Sequence, residues 1–191
     1  MIEIFIYKIK SYFALAMCSI MPSLTCAAEA PTTLNLKLPA GFEANIYAKL
    51  VVAPRMMAFS PDGKLLVSSS KSNQVLMLTD ANRDGIAEAP TTIATDLNAP
   101  NGLAFVEDDL LVANQDGIVK LTNQNNKWSA PTPFISGLAT GGHTVKTVKL
   151  GPDNHLYFNI GSSCNVCNEA DPTRATLLRY TIDGKPSGAL A

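Results

Sequence analysis

The chain of 191 residues is 47% hydrophobic and sets 15 Lys and Arg against 16 Asp and Glu. That near-neutral balance gives no electrostatic footing for nucleic-acid binding, and 16% charged residues with high apolar content exclude a disordered chain. The length fits one domain or part of one, and past the N-terminus no apolar run approaches the roughly 18 residues of a bilayer span.

Residues 1–10 carry Lys8 and Lys10 against Glu3, and residues 11–24 (SYFALAMCSIMPSL) are charge-free and mainly apolar. Small residues follow at Ala27 and Ala28. A basic start, a short apolar stretch and a small-residue exit describe a secretory signal peptide, expected over residues 1–28. An uncleaved short anchor is the alternative. Ser23, where a lipoprotein signal wants Leu, argues against lipid attachment at Cys26. The mature chain, residues 29–191, keeps 13 basic and 15 acidic side chains and is expected in the periplasm or outside the cell.

Three segments of the mature chain align on one another: residues 54–67 (PRMMAFSPDGKLLV), 100–112 (PNGLAFVEDDLLV) and 145–158 (VKTVKLGPDNHLYF). Phe59, Phe105 and Leu150 mark the same point in each. Each copy reads as an apolar strand, a tight turn of Asp, Asn or Gly, which tolerate positive φ, and a second apolar strand. Further strands are predicted at residues 74–79, 117–121 and 176–182, with short outer strands at 91–94 and 133–135. Several short strands per copy at this period predict an all-β chain, a β-propeller of four-stranded blades. A β-sandwich is the second choice. Three blades fill residues 29–191 whereas a propeller closes with typically about 4 to 8, so the chain is expected to be a partial propeller, the N-terminal half of something larger or an open three-blade piece that pairs with another copy, with residues 186–191 lying past its last strand. Its open blade edges would invite self-association.

Within this frame, Asp80, Asn82, Asp84 and Gly85 begin like a calcium loop, with alternating oxygen ligands before a glycine. An EF-hand would need Glu at position 91, which is Thr, and a polar hairpin turn without metal is the competing reading. Met56 and Met57 are expected in the core, and Trp128 over a blade edge. His143 follows Gly141 and Gly142 and directly precedes the inner strand of the third copy, where side chains face the propeller axis. An imidazole there suits a general base that takes a proton from a hydroxyl; a solvated loop histidine is the alternative. His155 is expected exposed in a hairpin turn. Cys164 and Cys167, the cysteines left after the leader, are expected to form a local disulfide that pins a loop. Haem attachment would need His at position 168, which is Asn, and a zinc site would need a second pair.

The Gly141-Gly142-His143 triplet, Gly151-Pro152-Asp153 eight residues on, and residues 156–167 (LYFNIGSSCNVC) together resemble the glucose/sorbosone dehydrogenase family. Residues 38–42 (LPAGF), 100–105 (PNGLAF) and 177–184 (LLRYTIDG) add to the resemblance, which spans about residues 36–186. The SSCNVC piece points to the sorbosone-type branch. The resemblance implies a secreted or periplasmic six-bladed propeller that uses pyrroloquinoline quinone (PQQ) and calcium to oxidise a sugar or aldehyde and passes the electrons to an acceptor. It implies that a histidine at the position of His143 acts as base while hydride passes to the quinone. Two departures stand out: Gly142 replaces the acidic neighbour of glucose-specific members, and Pro100 replaces their glutamine near the quinone. The basic cofactor clamp of the family belongs to blades this chain lacks. A non-catalytic propeller of the NHL or lactonase-like kind, or an inactive fragment, are the alternative functions.

Overall fold

The computed structural model describes residues 4–9, 36–49, 51–125 and 127–190, the first of these as backbone alone. Among the described residues there is no helix, and so none long and apolar enough to cross a membrane. A strand at Ile4–Ile9 (β1) pairs antiparallel with Phe42–Ala48 (β2). Three four-stranded antiparallel sheets follow. The first blade holds Pro54–Phe59 (β3), Leu65–Ser69 (β4), Gln74–Leu78 (β5) and Thr91–Ala94 (β6). The second holds Leu103–Val106 (β7), Asp109–Ala113 (β8) and Gly117–Leu121 (β9). A small hairpin of Asn123–Gln124 (β10) and Lys127–Trp128 (β11) then precedes its outer strand, Thr132–Ser136 (β12). The third holds Val148–Leu150 (β13), His155–Ile160 (β14), Thr176–Thr181 (β15) and Pro186–Leu190 (β16). This is the all-β, four-stranded-blade architecture that the repeat predicts. Apart from β1, the expected leader lies outside the described residues.

Strand composition decides how the blades stack. In β8, Leu110 and Val112 join Leu66, Val75, Leu103 and Leu121 in a core between the first and second blades. Leu111 and Ala113 point the other way, into a core with Val148, Leu156, Phe158, Ile160 and Leu178 of the third. A strand buried on both faces reads as a continuous apolar run, as β8 does from Leu110 to Ala113; β4 is buried throughout as well, its apolar run ending in the buried Ser68 and Ser69. In β14 the burial alternates instead. Leu156 and Phe158 are fully buried, whereas His155, Tyr157 and Asn159 lie on the opposite, open face.

Several expectations are corrected. Residues 186–190, expected past the last strand, are themselves β16 and complete the third blade against β15. Met57 is 44% exposed and not a core residue, and Phe59 is 65% exposed. Ala48 and Val51 cover the first blade over Leu65, Val67, Leu76 and Leu78, but that cover does not extend over β3. The positive-φ positions of the turns are Gly63, Glu107 and Asn154; in the second copy the backbone imposes this conformation on a glutamate. His155 begins β14 and is only partly exposed, with Nδ1 3.4 Å from an Asp153 carboxylate oxygen.

On the open face of the third blade, Arg179 donates from Nη2 to Asp153 Oδ2 at 2.9 Å, and the Tyr157 hydroxyl donates to the same oxygen at 2.8 Å. The Arg179 and Tyr157 hydrogen bonds hold the Asp153 carboxyl at about 2, below its ordinary 3.8. A depressed carboxyl contributes stability that is present above its unfolded value and lost as pH falls toward its folded one. The melting-temperature difference between wild type and Asp153→Asn is therefore expected at pH 6 and should vanish as pH drops from about 4 to about 2. A second expectation contrasts two phenylalanines. Phe158→Ala should cost about 3–5 kcal/mol in urea unfolding, and Phe59→Ala about 0.5 kcal/mol or less.

Candidate active site

Strands alternate in direction, so the segments entering the inner strands and the β4–β5, β8–β9 and β14–β15 connections share one end of the blades. At that end the inner strands are stitched together by Asn101, only 5% exposed. Its Oδ1 accepts from Arg55 Nε at 3.3 Å, and its Nδ2 donates to the Lys146 carbonyl at 2.9 Å and to Thr147 Oγ1 at 3.3 Å. Its own carbonyl accepts from Ser68 Oγ at 2.6 Å. Beside it, Gly102 N donates to the same Lys146 carbonyl at 3.1 Å. A Cβ on Gly102 would sit 2.6 Å from Val148 N, so only glycine lets the second and third inner strands approach this closely.

His143 sits in the 137–147 segment that leads into β13. The sequence predicts this inner strand from Val145, yet it begins at Val148. Asn159 is the reason: its Oδ1 accepts from Thr147 N at 2.7 Å and its Nδ2 donates to the Val145 carbonyl at 3.1 Å. One side chain thus replaces ladder bonds and frees the backbone before Val148. Lys146, 1% exposed, turns inward and donates from Nζ to the carbonyls of Gln115 and, at 2.8 Å, Ala139. Burial, helped by the nearby Arg174 charge, pushes its ammonium below its usual range, against the opposing pull of Asp116.

The 141–143 backbone lies against the 161–163 backbone. His143 N donates to the Ser162 carbonyl at 2.9 Å. Gly142 has φ +63°, and a Cβ on Gly161 would fall 2.0 Å from the His143 carbonyl oxygen. Arg174 ties the two segments, donating from Nη1 to the Gly141 carbonyl at 3.2 Å and the Gly161 carbonyl at 3.4 Å, and from Nη2 to the Thr140 carbonyl. The imidazole is exposed, with Nε2 2.9 Å from Asn165 Oδ1. An exposed, oriented imidazole on a rigid backbone can take a proton from a hydroxyl presented at the end of the blades.

Cys164 and Cys167 form the expected disulfide in the β14–β15 connection. Glu169 Oε1 accepts from Ser163 N at 2.7 Å, a bond that lowers its carboxyl below the usual range. Among the described residues, these three make the one grouping of three potential metal ligands, and its two sulfurs are bonded to each other.

Asp80, Asn82 and Asp84 follow β5, at the opposite end of the blade from His143. Asp80 accepts from Asp84 N and Gly85 N at 3.0 Å each, and Asp84 Oδ1 accepts from Ile86 N at 2.8 Å. The loop is held in shape by carboxylates capping its own backbone amides. Trp128 lies in the hairpin and packs its ring 6.4 Å from that of Phe105. A cavity of about 560 Å³ is bordered by Asp96, Asn98, Asn114 and Asp116, and neither His143 nor Asn165 lines it.

Sequence reasoning predicts the disulfide and singles out His143, and it passes over Asn101, Lys146, Arg174 and Asn165. The first two carry a signal, because Arg55, Asn101 and Lys146 stand four residues before Phe59, Phe105 and Leu150, polar in otherwise apolar inner segments.

The model of a domain of unknown function, DUF7133, matches residues 29–188. No curated protein matches the sequence. Among solved structures, the PQQ domain of pyranose dehydrogenase from Coprinopsis cinerea superposes with a TM-score of 0.61 at 19% identity, covering 71% of this chain and 35% of that one. A carbohydrate-active enzyme of family AA12 from Trichoderma reesei, in a calcium structure, gives 0.61 at 22%, covering 80% and 40%. The PQQ-bound aldose sugar dehydrogenase from Streptomyces coelicolor gives 0.57 at 21%, covering 74% and 48%. Identities this low speak to the fold alone, and the chain spans less than half the length of each.

Arg174 is expected to hold the site together without anchoring a core. Arg174→Ala should speed hydrogen exchange of the 141–143 and 161–163 amides while those of β8 and β14 stay protected, measured by mass spectrometry.

Proposed function

Starting from a chain that belongs to the DUF7133 family, a domain of unknown function, we propose that it supplies the proton-accepting side of a sugar- or aldehyde-oxidising propeller of the sorbosone dehydrogenase kind. The observation that carries the reading is the placement of His143 at the end of the blades, its backbone locked between Arg174 and Ser162 and its ring exposed. The propeller fold and the PQQ proteins among its structural neighbours support the choice of chemistry.

The described residues do not fit the quinone by themselves. PQQ carries several carboxylates and needs cations with donors to spare. Near His143, Lys146 is buried with Nζ on two backbone carbonyls, and Arg174 commits three of its N–H donors to backbone carbonyls. Arg55 adds one exposed guanidinium whose Nε serves Asn101. The step assigned to this chain is therefore the proton transfer alone: an imidazole nitrogen of His143 takes the proton of a substrate hydroxyl. Quinone and calcium would be held by the parts that complete the ring. Asp80, Asn82 and Asp84 would hold a separate, structural calcium. The leader reading places the work in the periplasm or outside the cell, with an electron acceptor there, and exposed Met57 and Phe59 offer a surface for self-association.

The test is dye reduction with a panel of aldoses and aldehydes, given PQQ and calcium, on the polypeptide as its native cell makes it. His143→Ala is expected to lower turnover by about 10²–10⁴-fold while leaving the urea midpoint unchanged, because the ring is exposed. Residues 29–191 alone should show no saturable quinone binding by calorimetry. A native polypeptide that shows no quinone-dependent turnover would overturn the reading in favour of a binding module or an inactive fragment.

A further inference from the structure

Resting on the reading of His143 as the proton acceptor, we propose that Asn165 is the positioning residue for its imidazole and that the Cys164–Cys167 disulfide exists to hold Asn165 in place. Asn165 Oδ1 lies 2.9 Å from His143 Nε2, and among the described residues no other side chain hydrogen-bonds this ring. Gly142, beside the histidine, has no side chain with which to orient it. An amide oxygen only accepts. Nε2 therefore carries the ring hydrogen, and Nδ1 keeps the lone pair that receives the substrate proton. When Nδ1 is protonated, Nε2–H continues to donate to Asn165, so the ring does not turn as it gains charge.

The loop that carries Asn165 has no apolar anchor. Val166, its neighbour, is 96% exposed. His143 N and Arg174 hold the start of the loop, at the Ser162 and Gly161 carbonyls; beyond it the covalent link three residues across joins the Ser163 N to Glu169 bond and the Cys164 N to Ser162 Oγ bond at 3.2 Å in fixing the part that carries Asn165. Two independent features converge on one atom: a disulfide in a loop without a core, and an amide oxygen of that loop on the catalytic candidate. A disulfide that served only to stabilise the blade would not need to present that oxygen to the ring.

The chain has two histidines, so ¹⁵N-histidine NMR resolves both imidazoles, with His155 as internal control. His143 is expected as the Nε2–H tautomer in the wild type, as a mixture in Asn165→Ala, and again as Nε2–H in Asn165→Asp. Mild dithiothreitol on the folded protein, or Cys164→Ser with Cys167→Ser, should reproduce the Asn165→Ala spectrum and add little to it in the combined variant. In the native polypeptide, Asn165→Ala should lower kcat about 10- to 100-fold with KM little changed, and Asn165→Asp should recover most of the loss. An Nδ1–H tautomer in the wild type, or a tautomer indifferent to Asn165→Ala, overturns the positioning role. A tautomer indifferent to reduction overturns the role of the disulfide. Failure of the base reading is seen elsewhere, as turnover that survives His143→Ala.

Discussion

The interaction on which the arrangement depends is the polar chain running through the inner strands from Arg55 to Asn101 to Lys146. These residues occupy the same position in three successive copies, so the repeat brings them together once the blades stack. Arg55 Nε reaches Asn101 Oδ1 and Asn101 Nδ2 reaches the Lys146 carbonyl, which also accepts from Gly102. A buried amide left without partners would cost about 1–3 kcal/mol; here both ends of Asn101 are satisfied, each by a different blade. Apolar cores between blades are tolerant of small slides, because dispersion has no direction. A chain of directional bonds through one amide is not, and it fixes how far each blade is set against the next.

That register is what gives Lys146 its role. Its ammonium is taken from water only because the β8–β9 turn and the 137–147 segment each present a carbonyl to it. The cation therefore joins the second blade to the loop that bears His143. Above it, Arg174 does the same between that loop and the β14–β15 connection. Two cations committed to carbonyls of neighbouring segments give a rigid platform.

The blades were legible because period and turn chemistry agree. The 117–121 and 91–94 strands are found as the sequence predicts them, and β14 announces its open face by alternating His155, Tyr157 and Asn159 with Leu156, Phe158 and Ile160. What was not legible has identifiable causes. β16 contains Pro186 and Gly188, poor strand residues, and exists because β15 offers it an edge. The two-residue strands β10 and β11 are too short to carry a period. Met57 and Phe59 are apolar residues in a strand, but exposure depends on whether another element covers that face, which no local pattern records. In the site, His143 stood out by its glycines. Asn165 and Arg174 did not, because their partners are backbone and ring atoms brought near by folding, 22 and 33 residues away for the His143 ring and the Gly141 carbonyl.

The elements that fix His143 all belong to two consecutive blades: the 137–147 segment, Asn159, the 161–163 backbone, Asn165 and Arg174. None of them reaches across the axis. The orientation of the imidazole is therefore complete as soon as the second and third blades have packed through Leu111, Phe158 and their neighbours. A cofactor clamp is a different kind of object, since groups converging on a multiply charged ligand must approach it from several sides. A propeller suits this division of labour. Local loop contacts between two neighbouring blades orient the His143 imidazole, whereas groups that approach one ligand from several sides must come from different blades.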